Sequence, residues 1–254
     1  MSTAGTAGTD GTGASAPRVV VVTGATGATG RATCAALLAR DERVVAVGRD
    51  EATLATLRDE LTGAGDGVLD TRACDLLDAD AVRALARDVV SAHGGVDALF
   101  HLVGGWRGGK AFTESTDDDW RWLSGNLVDT LRHTTLALHD DLIASGRGRV
   151  AIIGAAGASA PTAGNAAYAS AKAAAQTWVG ALADSFGSSR ASGATPGSAA
   201  AVGVVKWIGS GRTATSPARI ADWLVGLLDA DAAALNGTSV PLWDAPAADL
   251  PAPA

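Results

Sequence analysis

The stretch RVVVVTGATGATGR, residues 18 to 31, constrains the fold of this chain more than any other. Four consecutive valines call for a strand buried on both faces, and the run then breaks into glycines. ATCAALLAR follows with the apolar period of a helix. Strand, glycine turn and helix in that order make a phosphate loop. Gly24, Gly27 and Gly30 let the backbone turn tightly and approach a pyrophosphate, which rests on the amides and positive dipole of the helix N-terminus. Thr26 and Thr29 stand between those glycines.

The alternation continues along the chain. Strands are expected near 18 to 23, 43 to 48, 69 to 74, 97 to 103, 149 to 154, 200 to 206 and 238 to 243, with helices between them. Such a pattern implies parallel strands joined by right-handed crossovers, so the fold class is α/β: a single Rossmann-type doubly wound domain with a mostly parallel seven-stranded sheet. The domain spans residues 18 to 244. Residues 1 to 17, rich in Gly, Thr, Ala and Ser, and residues 245 to 254 have too little apolar surface to fold and are expected to be tails. Asp50, Asp78 and Ser216, the last followed by Pro217, are placed to cap helices, and Asp117 to Asp119 read as a solvated helix start.

Two features bear on chemistry. The single tyrosine, Tyr168, precedes Lys172 by four positions in YASAK, so phenol and ammonium share one helix face. An adjacent cation favours the phenolate and is expected to lower the Tyr168 pKa toward a range useful for proton transfer. The second strand, RVVAVGRD, ends about twenty residues past the loop, where such folds read the adenosine ribose. An acid there binds the ribose 2′-hydroxyl of NAD; Gly48 leaves that place empty, and Arg49 can pair with a 2′-phosphate through its planar fork. NADP is therefore favoured over NAD. The alternative is that Arg49 merely closes the strand in solvent.

Together these residues resemble the short-chain dehydrogenase/reductase family over about residues 18 to 243. The marks are the TGATGATG loop, Asp75 in ACDLLD, the ALFHLVGG strand end, Asn126 in SGNLVDT, YASAK and the C-terminal PLW. The resemblance implies an NAD(P)-dependent oxidoreductase in which Tyr168 transfers the proton, Lys172 holds the nicotinamide ribose and tunes Tyr168, and Asn126 belongs to the proton relay. It also implies that Asp75 and Leu76 flank the adenine, that Val103 and Gly104 line the cofactor, and that Ile208 with Lys206 and Trp207 begins a short substrate lid near the nicotinamide amide. For Asp75 an ordinary turn into the next helix is the alternative. A homodimer or homotetramer acting on a small molecule follows from the same resemblance.

Three departures narrow the chemistry. The glycines are spaced GxxGxxG, as in extended and atypical branches of the family, and the usual NNAG reads HLVG, residues 101 to 104. The serine that the family places thirteen residues before the tyrosine is Ala155 in AIIGAAGASA. A hydroxyl there would stabilise developing charge on a ketone oxygen. Ser159 is a candidate replacement, four residues on. The dihydropteridine reductase branch also has Ala at this place, and GGWRGG, residues 104 to 109, and SGATPGSAAAVGVV, residues 192 to 205, are similar to segments of that branch. An electron-poor quinonoid ring needs less oxyanion help than a ketone, which points to a small conjugated electrophile such as a pterin-like ring, an imine or a carbonyl. Trp106, at a strand's carboxyl end, can stack on such a ring or simply cover the sheet edge. Two other readings stay open: a non-redox enzyme on the same fold (isomerase, dehydratase or cyclase), and a catalytically silent NADP-binding regulator.

Composition agrees with an enzyme of small molecules. A hydrophobic share of 47% with 19% charged residues is an ordinary globular balance, and a net charge of −7 with pI near 5.0 argues against nucleic acid. Cys34 and Cys74 lack metal or disulfide spacing and read as core residues in a reducing cytosol. The N-terminus has no basic flank or apolar core, and no run of about 18 apolar residues occurs, so a membrane span is not expected and the cytoplasm is. His101, on an apolar strand, reads as a satisfied core histidine, and His93, His133 and His139 as surface residues without metal-ligand partners; no metal is expected.

Overall fold

The computed structural model describes residues 16–109, 111–189, 197–211 and 213–243. Residues 1–15 and 245–254 of the expected tails, and much of the glycine-rich approach to the sixth strand, lie outside these. Seven strands form one sheet in the order β3-β2-β1-β4-β5-β6-β7, every pairing parallel. They are β1 Val19–Thr23, β2 Arg43–Gly48, β3 Val68–Ala73, β4 Ala98–His101, β5 Arg149–Ala155, β6 Ala199–Val205 and β7 Ser239–Pro241. The connecting helices are α1 Ala28–Leu38, α2 Glu51–Glu60, α3 Ala79–His93, α4 Asp117–Ser124, α5 Thr130–Ala144, α6 Ala166–Ser189, α7 Pro217–Gly226 and α8 Ala232–Leu235.

The valine run explains the layering. Successive side chains of a strand point to opposite faces. Val20 and Val22 enter a core with Leu37 of α1, Leu54 and Leu57 of α2, and Ile220 and Leu224 of α7. Val19 and Val21 enter the other, with Val82 and Val89 of α3, Leu138 and Leu142 of α5, and Val179 and Phe186 of α6. Both faces of β1 are thereby dry, and the strand needs no polar alternation. The capping residues act as expected: Asp50 accepts from the Thr53 amide, Asp78 from Asp80 and Ala81, and Ser216 from Arg219.

Two strands depart from expectation. The fourth ends at His101, not near 103, because its neighbour β1 ends at Thr23, directly opposite: Leu102 makes one more bond to the Thr23 carbonyl at 3.1 Å, and the chain then leaves the sheet. The seventh is three residues long, ending at Pro241, and Leu242 adds one more bond to the Val204 carbonyl at 2.8 Å. Strand order reverses beside β1, and that reversal opens a crevice at the carboxyl ends of β1 and β4. Among the described residues no helix is long and apolar enough to cross a membrane.

Candidate active site

The crevice is shaped first by glycines. Gly24 has φ +66°, and a Cβ there would stand 2.7 Å from the Leu102 carbonyl oxygen. A Cβ on Gly30 would stand 2.3 Å from the Gly24 oxygen, so α1 packs against the turn only because residue 30 has no side chain. Gly27 is the N-cap of α1 and offers no side-chain cap, and the first turn holds no acid. Its amides and dipole therefore face the crevice unopposed, a cradle that fits a pyrophosphate.

Around this turn lies a cleft of about 400 Å³. It is lined by Gly24, Thr26, Gly27, Thr29 and Gly30, by Gly48 and Arg49 from the end of β2, by Asp75 and Leu76 after β3, by Val103 and Gly104 after β4, and by Asn126. Gly48 is buried, and a Cβ on it would crowd Leu54 and the Thr26 methyl at 3.2 Å, so the position normally held by an acid is closed by packing. Arg49 is exposed and makes no ion pair among the described residues. Asp75 turns its carboxylate to the Leu77 amide at 3.0 Å. Leu76 is buried, and its carbonyl accepts from His133 Nδ1 at 2.9 Å.

A second cleft, of about 530 Å³, adjoins the first. Thr29, Leu102, Val103 and Gly104 line both, so the two form one continuous groove. The second is lined further by Ala155, Gly157, Asn165, Tyr168, Lys172, Trp106, Trp207 and Ile208. Lys172 is half-buried and donates to the Ile153 carbonyl at 2.7 Å; desolvation pushes its pKa down to about 8. Tyr168 is half-buried, and burial pushes its phenol up. The expected lowering of the Tyr168 pKa by Lys172 is thus absent, because the ammonium is drawn to the strand carbonyl and desolvation of the phenolate dominates.

His101 is the charge-sensitive group that does respond to Lys172. It is buried, with Nδ1 2.9 Å from Thr23 Oγ1 and Nε2 3.2 Å from Thr130 Oγ1. Burial first, and then the Lys172 charge, hold its pKa down at about 3, so the imidazole is neutral. It is a satisfied core histidine and also part of the cleft wall. Thr130 in turn donates to the Asn126 backbone carbonyl at 2.7 Å. Asn126 sits in a π-helical turn, Gly125–Asp129, and its side-chain amide donates to the Trp122 carbonyl at 2.8 Å. Asn126 lines the first cleft and not the one that holds Tyr168.

Ala155 ends β5, 4% exposed, and its amide donates to Gln176 Oε1 at 3.2 Å. Ser159 is exposed beyond the turn Ala156–Ala158 and is not part of either cleft wall. Trp106 is 60% exposed at the rim. Its preceding residue, Gly105, has φ +149°, and a Cβ there would stand 2.2 Å from the Trp122 ring. The Arg107 guanidinium lies over that same ring at 4.5 Å. Two residues escaped the sequence reading: Asn165, which lines the second cleft, and Gln176, which supports the strand end at Ala155. The signal for Asn165 was its place three residues before Tyr168, one helical turn away on the same face.

The other histidines are less exposed than expected: His93 lies 3.0 Å from Asp70, and His139 2.9 Å from Ser185. Cys34 is buried with its thiol pushed up to about 12, and Cys74 is buried too. Among the described residues no group of three or more His, Cys, Asp or Glu could hold a metal ion.

Several solved structures share this architecture. An NADPH-bound short chain oxidoreductase from Pseudomonas aeruginosa, described as containing an atypical catalytic center, is 22% identical, with 88% of this chain and 94% of that one covered and a TM-score of 0.76. Actinorhodin polyketide ketoreductase with NADPH is 22% identical over 89% and 95%, at a TM-score of 0.76. A metagenomic short-chain oxidoreductase in complex with NADP is 25% identical over 88% and 96%, at 0.73. Among curated proteins none matches the chain in sequence. The sequence model of the family described as short chain dehydrogenase matches residues 18–206, from the first valine strand through Lys206, and so spans both the glycine cradle and the Tyr168/Lys172 pair. The chain belongs to the short-chain dehydrogenase/reductase family of NAD(P)-dependent oxidoreductases.

Proposed function

We propose that this enzyme is an NADPH-dependent reductase of a small, planar, conjugated electrophile. A quinonoid pterin-like ring is the named candidate, and an imine or carbonyl the looser class. The observation that carries the reading is the continuity of the two clefts through Thr29, Leu102, Val103 and Gly104. A dinucleotide on the glycine cradle would reach Tyr168 along that groove.

NADPH, when bound, supplies the hydride. Gly24, Thr26, Gly27, Thr29 and Gly30 hold its phosphates, Arg49 pairs with the 2′-phosphate, Asp75 and Leu76 flank the adenine, and Val103, Gly104 and Ile208 line the nicotinamide end. Burial raises the Tyr168 pKa and so favours the protonated phenol, the form that donates a proton to a reduced substrate. Lys172, half-buried in the wall of the reaction cleft, holds the nicotinamide ribose and supplies positive charge as the phenolate forms. The Asn126 carbonyl, Thr130 and His101 are linked by hydrogen bonds that end beside Lys172, and this supports a relay role for the Asn126 segment through its backbone. Ala155 gives a substrate no hydroxyl, which suits an acceptor whose charge spreads over a ring. Trp106 and Trp207 offer the flat faces to stack it. The same reading sets the enzyme in the cytoplasm as a homodimer or homotetramer.

The test is loss of nicotinamide absorbance with a quinonoid dihydropterin or phenanthrenequinone as acceptor. Tyr168→Phe should lower kcat by at least about a hundredfold while NADPH affinity stays within about twofold. Retention of more than about a tenth of the rate means that Tyr168 is not the acid.

A further inference from the structure

We propose that the side-chain amide of Asn165 is the hydrogen-bond donor to the substrate's oxygen, replacing the hydroxyl that Ala155 lacks, so that the enzyme selects acceptors with a carbonyl in the ring plane. This deepens the reductase reading and rests on it.

The orientation of the amide follows from its partner. Asn165 Oδ1 accepts from the Thr162 backbone amide at 2.7 Å, and of the two ends of a side-chain amide only the oxygen accepts from an N–H, which fixes their assignment. Nδ2 therefore points the other way. It has no hydrogen-bond partner among the described residues and lies toward the turn after Ala155, 3.1 Å from where a Cβ on Gly157 would be. Gly157 thus leaves room for the amide beside the strand end, and both residues line the reaction cleft with Ala155 and Tyr168. Asn165 stands immediately before α6, three residues from Tyr168, so donor and acid present themselves from one face. A capping contact holds the side chain in place before any substrate arrives, which is the condition for an effective oxyanion donor.

In the step itself the carbonyl carbon takes the hydride that NADPH supplies, with its electron pair. The carbonyl oxygen takes the Tyr168 proton, NADP+ and the alcohol are the products, and solvent reprotonates Tyr168. Asn165 keeps both its protons and strengthens its hydrogen bonds as charge builds on the oxygen. Exposed Ser159, outside the cleft wall, cannot do this.

The experiment compares Asn165→Asp, Asn165→Ala and the double variant Ala155→Ser/Asn165→Asp with the parent and with Tyr168→Phe. Asp keeps the acceptor for Thr162 and loses the donor; Ala removes both and adds no charge. Phenanthrenequinone turnover and its calorimetric binding to the NADP+-loaded protein are measured, with NADPH affinity as the check on folding. Both single variants should lose about 10² to 10³ in kcat with NADPH affinity within about twofold, and the restored hydroxyl should return at least about tenfold of the loss. If Tyr168→Phe is inactive while Asn165→Asp and Asn165→Ala stay within about threefold of the parent, the reductase reading stands and the Asn165 assignment falls. Loss of NADPH affinity together with activity in both variants makes Asn165 a structural residue and also overturns it. A parent that neither binds nor reduces the quinone overturns the assignment together with the reading beneath it.

Discussion

The two halves of the groove are built by different means. The cofactor half is made of backbone: one continuous segment, Val19 to Leu38, supplies strand, turn and helix, and its shape depends on side chains that are missing at Gly24 and Gly30. The reaction half is made of side chains from separate stretches, with Trp106 after β4, Ala155 ending β5, Asn165 just before α6 and Tyr168 in its first turn, and Trp207 after β6. Binding of a universal cofactor can be written into a local motif. Choice among substrates is distributed, and can be altered one residue at a time without disturbing the fold.

If that contrast is right, the cofactor half tolerates least. Gly30→Ala puts a methyl group against backbone atoms of Gly24 and Ala25 that cannot rotate away. We expect NADPH affinity to fall by more than about a hundredfold, with a stability loss of about 3 kcal/mol, measured by fluorescence titration and thermal melting. A Gly30→Ala protein that binds NADPH normally would break the contrast.

In the reaction half, Ala155→Ser should leave cofactor binding alone and add a donor. Activity on simple ketones should rise, by as much as roughly 3 kcal/mol of transition-state stabilisation for a well-aimed hydroxyl, while a quinonoid dihydropterin gains little. The readout is the pair of kcat/KM ratios, variant over parent. A parent that reduces simple ketones efficiently, with no gain from the serine, means that the site is already fully supplied with donors.

Arg49 lies at the edge of the cofactor half, where the local motif has ended and a side chain takes over. The parent should prefer NADPH to NADH by at least about tenfold, or about 1.4 kcal/mol, and Arg49→Ala should remove most of that margin. Equal affinities in the parent would show that the empty place at Gly48 does not select the phosphate.

The seam between the halves carries a pH signature. His101 is neutral when folded, with pKa about 3 against 6.5 for the free side chain, so the unfolded chain binds its proton first. Stability from this group is full above about pH 6.5 and declines as pH falls toward 3, by up to about 1.4 kcal/mol per pH unit. His101→Gln should flatten the decline in that window, as followed by denaturant melts.

What the sequence made legible divides along the same line. Strand positions, the glycine loop and the caps at Asp50, Asp78 and Ser216 are encoded by neighbours in the chain, and the structure has them where local chemistry puts them. The early end of β4 depends on where its neighbour β1 stops, at Thr23, a property of the pairing and not of the local sequence. Tyr168 and Lys172 were visible as a pair, yet their spacing could not show that Lys172 would bond to Ile153, a residue on another strand. Nor could it show that Ser159 would face solvent while Asn165, to which the sequence reading assigned no role, would line the cleft.

The most direct test of the account is a crystal structure with NADPH bound. The pyrophosphate is expected on the amides of residues 28 to 30, the 2′-phosphate at Arg49, and the nicotinamide in the stretch shared by the two clefts, with its reactive face toward Tyr168. A dinucleotide bound elsewhere, or one whose nicotinamide lies away from Tyr168, would contradict it.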